Sequence, residues 1–172
     1  MTRMLWQLAL RDSGILTLVA LVYLLLAPLS AGAGMLGDLT GLVAGLAIGL
    51  ATFLLHEWGH LLGALGSRSA VRLPDRLGSV YLFSYDSKRN SRRQFVVMSL
   101  SGFAVTGVAV WAVYAVLPDG QLATRVARGA VLFLASFTVV LEFPLLLWSL
   151  ARPTLPPVEV FRTLEDEQRA SA

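Results

Sequence analysis

The stretch from Gly41 to Leu65 decides the fold, and it reads GLVAGLAIGLATFLLHEWGHLLGAL. It is apolar apart from the motif HEWGH at residues 56–60. A run of this length and hydropathy predicts a helix that crosses a lipid bilayer. His56 and His60 are the only two histidines of the chain, and at this spacing they share one face of a helix, about one turn apart.

This pair of histidines predicts a metal site. Both imidazoles can bind one ion, and Glu57 lies about 100° around the helix from His56, where it can reach a water on that ion. The HExxH pattern is the signature of zinc peptidases and predicts that Glu57 is the catalytic general base. Each ionisable group in a membrane helix costs about 2.5 kcal/mol or more, which favours metal binding over the alternative of structural histidines packed against neighbouring helices.

The composition extends the prediction from one helix to four. The 172 residues are 56% hydrophobic and 15% charged, so we expect an all-α integral membrane protein. Residues 1–150 are predicted to form one transmembrane domain, and residues 151–172 a cytoplasmic tail. The chain has no cysteine, so any zinc ligands are nitrogen or oxygen atoms. Four segments are long enough to cross a bilayer: Gly14–Leu29, Gly41–Leu65, Phe95–Leu117 and Gly129–Leu150.

The distribution of positive charge predicts the orientation. The Ser30–Thr40 connection has no basic residue, whereas the Gly66–Arg93 connection carries Arg68, Arg72, Arg76, Lys88, Arg89, Arg92 and Arg93. By the positive-inside rule, this loop and both termini face the cytoplasm, although Arg125 and Arg128 in the other outer connection oppose that assignment. The rule also explains the basic composition without nucleic acid as a partner. Lys88 is the sole lysine, and this preference for arginine favours a bacterial inner membrane.

The first apolar segment has two interpretations. Arg3 and Arg11 precede it and Ala31-Gly32-Ala33 follows it, an arrangement that also fits a cleaved signal peptide. A retained helix is favoured, because removal would leave only three helices to hold the metal site.

The long connection after the second helix contains a β-prone segment. Val80–Tyr85 is aromatic and β-branched, Pro74–Gly78 supplies a turn before it, and Ser69–Leu73 is a candidate partner strand. We predict a small β-hairpin at the membrane surface between the second and third helices, with an amphipathic surface loop as the alternative. An extended substrate could pair with this edge, which makes Val80, Leu82 and Ser84 candidate substrate-binding residues.

The second helix also carries a stripe of small residues. Residues four apart lie on one face: Gly37, Gly41, Gly45 and Gly49, continued by Thr52, His56, Gly59, His60 and Gly63. Small residues at this spacing let helix backbones approach closely in lipid. The glycines alone indicate helix packing, and the histidines place the predicted metal site on the same closely packed face.

A zinc peptidase needs a third protein ligand, and depth in the membrane selects Glu142. From the outer face, His56 lies about 15 residues in, roughly 22 Å, and Glu142 about 13 residues in, roughly 20 Å. Pro144 can break the last helix there and let it bend toward the site. The alternative is a glutamic acid hydrogen-bonded within the bundle. Asp119 is rejected as a ligand because it falls in the outer connection, where Pro-Asp-Gly is typical of a turn.

In these features the chain resembles the site-2 protease family of intramembrane zinc metalloproteases. The resemblance rests on the HExGH motif at residues 56–60, a short β-type connection after it, and a small-residue segment at 99–103 that opens the next helix. It covers Gly41–Leu117 loosely, and only the motif is specific. The resemblance implies that His56 and His60 bind one zinc ion per chain and that Glu57 is the general base.

The chain departs from that family at the third ligand. The family uses an aspartate of an Asp-Gly motif on a later helix, after an asparagine and a proline. Here Leu141-Glu142-Phe143-Pro144 has the proline, but Ser149 stands near where the aspartate would fall. Either Glu142 substitutes for the aspartate or the metal site is degraded.

Three functions follow from these alternatives. The leading prediction is an intramembrane zinc endopeptidase that cuts a membrane-anchored protein. The second is a catalytically inactive, protease-like scaffold that binds membrane partners, which the departure at the third ligand favours and the intact Glu57 opposes. A zinc transporter is third, because four helices offer no path of further acids or histidines unless the protein oligomerises.

Overall fold

The computed structural model describes residues 2–32 and 34–156, so most of the predicted tail at 151–172 lies outside the described residues. Within that range, helices predominate, and a single short hairpin interrupts them. In chain order, the elements are α1 (Thr2–Leu26), a 3₁₀ turn (Pro28–Ala31), α2 (Met35–Gly66), β1 (Val71–Arg72), β2 (Ser84–Tyr85), α3 (Arg92–Ala115), α4 (Leu122–Leu141) and α5 (Phe143–Ala151).

The predicted all-α class is confirmed. Four segments of the described chain are long and apolar enough to cross a membrane: Thr2–Ala31, Met35–Gly66, Arg92–Ala115 and Leu122–Ala151. Many large apolar side chains point outward from them, among them Leu10, Met35 and Phe133, which are about seven-tenths exposed or more. Such an apolar exterior suits lipid as the solvent, and it makes a multi-pass membrane protein the consistent interpretation.

The fourth span differs in its limits from the prediction. It begins at Leu122 rather than Gly129, and it is broken between α4 and α5 at Glu142. Pro144 explains the break, because proline has no backbone N–H and its ring collides with the carbonyl four residues earlier. The sequence predicted this interruption. Glu142 lies at this one-residue interruption, and its backbone angles stay in the helical region, at φ −97° and ψ −32°.

The glycine face of α2 is closely packed, as predicted, but against two different helices. A Cβ atom on Gly45 would lie 2.5 Å from Cβ of Val126, on α4. A Cβ atom on Gly63 would lie 2.6 Å from Cβ of Ser101, on α3. Helix α2 is therefore the centre of the fold, with its first half against α4 and its second half, which carries the HExxH motif, against α3.

The predicted β-hairpin is present but shorter than expected. Strands β1 and β2 are antiparallel, with Val71 opposite Tyr85 and Arg72 opposite Ser84, whereas residues 80–82 form a bend. The side chain of Asn90 closes the base of the hairpin through both the N–H and the C=O of Ala70, at 2.6 and 2.8 Å. Thus the connection after α2 is folded against the helices.

Candidate metal centre

Three side chains converge at the middle of the bundle. Nε2 of His56 lies 3.0 Å from Oε1 of Glu142, and Nε2 of His60 lies 3.0 Å from Oε2 of the same carboxylate. The two Nε2 atoms are themselves 3.0 Å apart. The structure therefore brings together the three residues that the sequence singled out as metal ligands, and a group of this composition could hold a metal ion.

Different elements position the three donors. His56 and His60 come from one face of α2 and are buried, at 2% and 9% exposure. Glu142 comes from the break between α4 and α5, and a third of its side chain is exposed. The centre is thus closed on the side of α2 and α3 and open on the side of Glu142, where a substrate or water would have to enter.

Helix α3 orients both imidazole rings through contacts with their Nδ1 atoms, on the side away from Glu142. Nδ1 of His60 lies 3.0 Å from the carbonyl oxygen of Met98. Nδ1 of His56 lies 2.8 Å from Oγ1 of Thr106 and 3.3 Å from the carbonyl oxygen of Gly102. A carbonyl only accepts, so Nδ1 carries the proton in these contacts and each Nε2 presents its lone pair to the centre.

The small residues at 99–103, in the middle of α3, allow this contact. A Cβ atom on Gly102 would lie 2.3 Å from Cε1 of His60, far inside van der Waals contact. The ring of His60 therefore packs directly against the backbone of Gly102. The segment at 99–103, which the sequence analysis noted for its resemblance to site-2 proteases, thus has a specific role: Gly102 leaves room for the ring of His60.

The donor set fits zinc. Two imidazole nitrogens and a carboxylate oxygen are ligands of known catalytic zinc sites, with bonds of about 2.0–2.2 Å. Tetrahedral geometry at those bond lengths separates ligand atoms by about 3.3 Å. The two Nε2 atoms are 3.0 Å apart, and each lies 3.0 Å from a different oxygen of the Glu142 carboxylate. Two nitrogen lone pairs and a carboxylate facing one point would repel each other without a cation between them. The arrangement matches a three-ligand site with one open position.

Glu57 lies beside this group of donors. It is half-buried on α2, and its carboxylate interacts electrostatically with His56, His60 and Glu142. The predicted general base thus reaches the centre without being one of its three closest donors.

The remaining predicted residues lie elsewhere. Val80 is exposed at the bend before β2, Leu82 is fully buried against Leu8 and Leu61, and Ser84 is buried in β2. Their role in substrate binding stays a prediction. Asp119 forms an ion pair with Arg128 at 2.7 Å in the connection between α3 and α4, away from the three donors.

Sequence reasoning missed two residues near the site. Thr106 on α3 contacts His56, although the two residues are fifty positions apart in the chain. The apolar helices contain several hydroxyl side chains, and nothing in the sequence distinguishes this one. Asp12 is 1% exposed on α1 and bonds to Trp58 of the HEWGH motif. In the sequence, Asp12 stands next to Arg11 at the start of an apolar segment. Charged residues in that position commonly flank a membrane helix, so the sequence did not indicate that this carboxylate is buried.

Comparison with known proteins does not assign the chain to a family. The chain matches none of the protein-family models, curated proteins or solved structures with which it was compared.

Proposed function

We propose that the protein is an intramembrane zinc endopeptidase, similar in its chemistry to site-2 proteases, that cuts a membrane-anchored protein. One observation carries the proposal: Glu142, from the junction of α4 and α5, places one carboxylate oxygen 3.0 Å from Nε2 of each histidine of an HExxH motif. The contact supports the proposal that Glu142 substitutes for the aspartate that the sequence lacks.

The chemistry at such a site is hydrolysis of a peptide bond. Bound zinc would supply the Lewis acidity that activates a water and polarises the scissile carbonyl. Glu57 takes one proton from that water as its oxygen bonds to the carbonyl carbon. Glu57 then delivers the proton to the leaving nitrogen as the C–N bond breaks, which releases an amine and a carboxylic acid that keeps the second proton of the water.

The surroundings of the site suit a substrate from the membrane. Glu142 is the exposed member of the three donors, and apolar side chains such as Leu141 and Phe143 flank it on the outer surface. A transmembrane segment that unwinds locally could therefore reach the donors from the lipid side. The seven basic residues of the Gly66–Arg93 loop support a site toward the cytoplasmic face of a bacterial inner membrane.

A scaffold without catalysis is the second candidate, and the absent Asp-Gly motif favours it. Such a protein would need neither bound zinc nor Glu57. The two candidates therefore differ in metal content and in the effect of Glu57→Gln.

The test is zinc content, measured on protein purified from membranes in mild detergent. We expect about one zinc per chain in the parent and loss in His56→Ala and Glu142→Ala, with Asp119→Ala as a matched control that keeps its zinc. Glu57→Gln should keep zinc and abolish cleavage of co-reconstituted membrane-anchored reporter proteins. A parent that takes up no zinc after reconstitution would overturn the peptidase proposal, and the scaffold would remain.

A further inference from the structure

A cavity of about 480 Å³ lies outside the candidate metal centre, between the start of α3 and the segment after α5. Residues between 87 and 92 form one wall, and residues 153–155 form the other. Within the described part of the chain, the lining includes the basic side chains of Lys88 and Arg92 and the hydroxyls of Ser87 and Thr154, but no carboxylate. Two positive charges beside hydroxyl donors suit an anion as the ligand.

The two walls of this cavity are held together. Oγ of Ser87 donates to the carbonyl oxygen of Pro156 at 2.7 Å, and Nη2 of Arg92 donates to the carbonyl oxygen of Arg152 at 2.7 Å. Leu155, from the second wall, packs against the buried cluster around the hairpin. The cavity is therefore fixed in shape by contacts that join the loop before α3 to the end of α5.

Arg92 keeps hydrogen-bond donors for a ligand. A guanidinium carries five N–H donors in a planar fork. Among the described residues, the side chain of Arg92 makes one hydrogen bond, to the carbonyl oxygen of Arg152. Its other N–H groups can bind an anion, and a phosphate matches the fork through two parallel hydrogen bonds.

The charge around the cavity is positive. Asp86 is the only acidic residue between positions 76 and 118 of the sequence. Its carboxylate accepts hydrogen bonds from the backbone N–H groups of Lys88 and Arg89 and lies 3.9 Å from Nε of Arg89. The first turn of α3 is capped by the side chain of Ser91, which accepts from the N–H of Gln94. Basic side chains, rather than the end of the helix, therefore supply the attraction for an anion.

The cavity lies at the level of lipid headgroups. One membrane-spanning segment begins at Arg92 and another ends at Ala151, so both have this end on the same side of the bundle. Trp148 is half-exposed near that end, its Nε1 donates to the carbonyl oxygen of Thr154 at 3.2 Å, and the guanidinium of Arg152 lies 5.8 Å from its ring centre. Tryptophan is enriched where a membrane helix meets the headgroups. An anion in this cavity is therefore at the depth of a phospholipid phosphate.

We propose that the cavity binds the phosphate of an anionic phospholipid headgroup, with Arg92 as the main contact and Lys88 as the second positive charge. Basic pockets between membrane helices are known to bind anionic headgroups. The acyl chains of the lipid would lie against the exposed apolar side chains of α5, such as Leu147 and Leu150. The site is independent of the metal centre and of the proposed peptidase reaction.

The first test measures binding of phosphatidylglycerol to the full chain in nonionic detergent, by native mass spectrometry over a series of lipid concentrations. We expect about one tightly bound lipid per chain, with a Kd that rises about tenfold in Arg92→Gln and about fivefold in Lys88→Gln. Arg92→Lys should lie between the parent and Arg92→Gln, because it keeps the charge and loses the fork. Lys88→Gln leaves the bond from Arg92 to Arg152 in place, so it tests the charge even if Arg92→Gln loosens the wall.

Arg89→Gln is the matched control. It removes the same charge from the same loop, but the Arg89 side chain is mostly exposed, pairs with Asp86 and does not line the cavity. It should bind phosphatidylglycerol like the parent. Equal weakening in Arg89→Gln and Arg92→Gln would overturn the proposal, because the lipid would then respond to the basic loop as a whole.

Two further probes identify the source of the phosphate. Phosphatidylcholine has the same phosphate without a net negative charge, and inorganic phosphate has no acyl chains. We expect phosphatidylcholine to bind more weakly than phosphatidylglycerol, and millimolar inorganic phosphate not to displace the lipid. Equal binding of the two lipids would overturn the proposal, since the acyl chains would then account for the affinity. Displacement by inorganic phosphate that is lost in Arg92→Gln would also overturn it and would make the cavity a site for free phosphate.

Discussion

Oε1 of Glu142 lies 3.0 Å from Nε2 of His56, although the two residues are 86 positions apart and belong to different membrane helices. Helix α4 ends at Leu141 and α5 begins at Phe143, so Glu142 lies at the one-residue interruption between them. Pro144 accounts for the interruption, because it has no backbone N–H to donate two residues after the acid. The proline therefore bears on the candidate metal centre, since it determines the backbone next to Glu142.

From the interruption at Glu142, we predict that Pro144→Ala weakens zinc binding. Alanine restores the missing N–H, so α4 and α5 should join and turn Glu142 away from the histidines. We expect zinc affinity, measured by competition with a chelator, to fall about tenfold or more, while thermal stability does not decrease. Pro118→Ala in the outer connection is the control and should bind zinc like the parent. Unchanged affinity in Pro144→Ala would mean that the bundle, not the proline, places Glu142.

Thr106 predicts a second effect on the metal. Its Oγ1 lies 2.8 Å from Nδ1 of His56, and such partners fix the ring and its tautomer. Thr106→Val keeps the shape and removes the oxygen, so we expect zinc affinity to fall about 10- to 100-fold, with recovery in Thr106→Ser. Thr52→Val is the matched control, since Thr52 is equally buried one turn from His56, and its hydrogen bond within the described part of the chain goes to the carbonyl of Ile48 in its own helix. Equal losses in both valine variants would point to packing instead.

Gly102 predicts a steric effect on His60. The new methyl group in Gly102→Ala would lie 2.3 Å from Cε1 of the imidazole, so the ring or α3 must move. We expect loss of zinc from the purified protein and a free energy of unfolding reduced by about 1–3 kcal/mol. Gly107→Ala, on the same helix, meets nothing within 4 Å and should keep both zinc and stability. Full zinc content in Gly102→Ala would show that the ring has room to shift without leaving the metal.

The sequence predicted much of this arrangement. Hydropathy predicted the helices. The spacing of His56 and His60, together with the depth of Glu142, predicted the three residues that meet at the candidate metal centre. Contacts across helices were not readable, because nothing in the local pattern links Asp12 to Trp58 or Thr106 to His56. The hairpin was overestimated for a related reason: residues 80–82 have β propensity, but burial of Leu82 against α1 and α2 bends the chain instead.

The hairpin supplies a prediction on pH. Burial raises the pKa of Tyr85 to about 12, compared with about 10 for a tyrosine in an unfolded chain. The folded state therefore holds this proton more tightly, and the associated stability is fully present below pH about 10 and is lost as the pH rises toward about 12. The loss is at most about 3 kcal/mol. Ultraviolet titration of tyrosinate should show a last step near pH 12 that is absent in Tyr85→Phe and retained in Tyr81→Phe, the control with an exposed ring in the same loop. A last step that survives in Tyr85→Phe would show that the hairpin does not bury this hydroxyl.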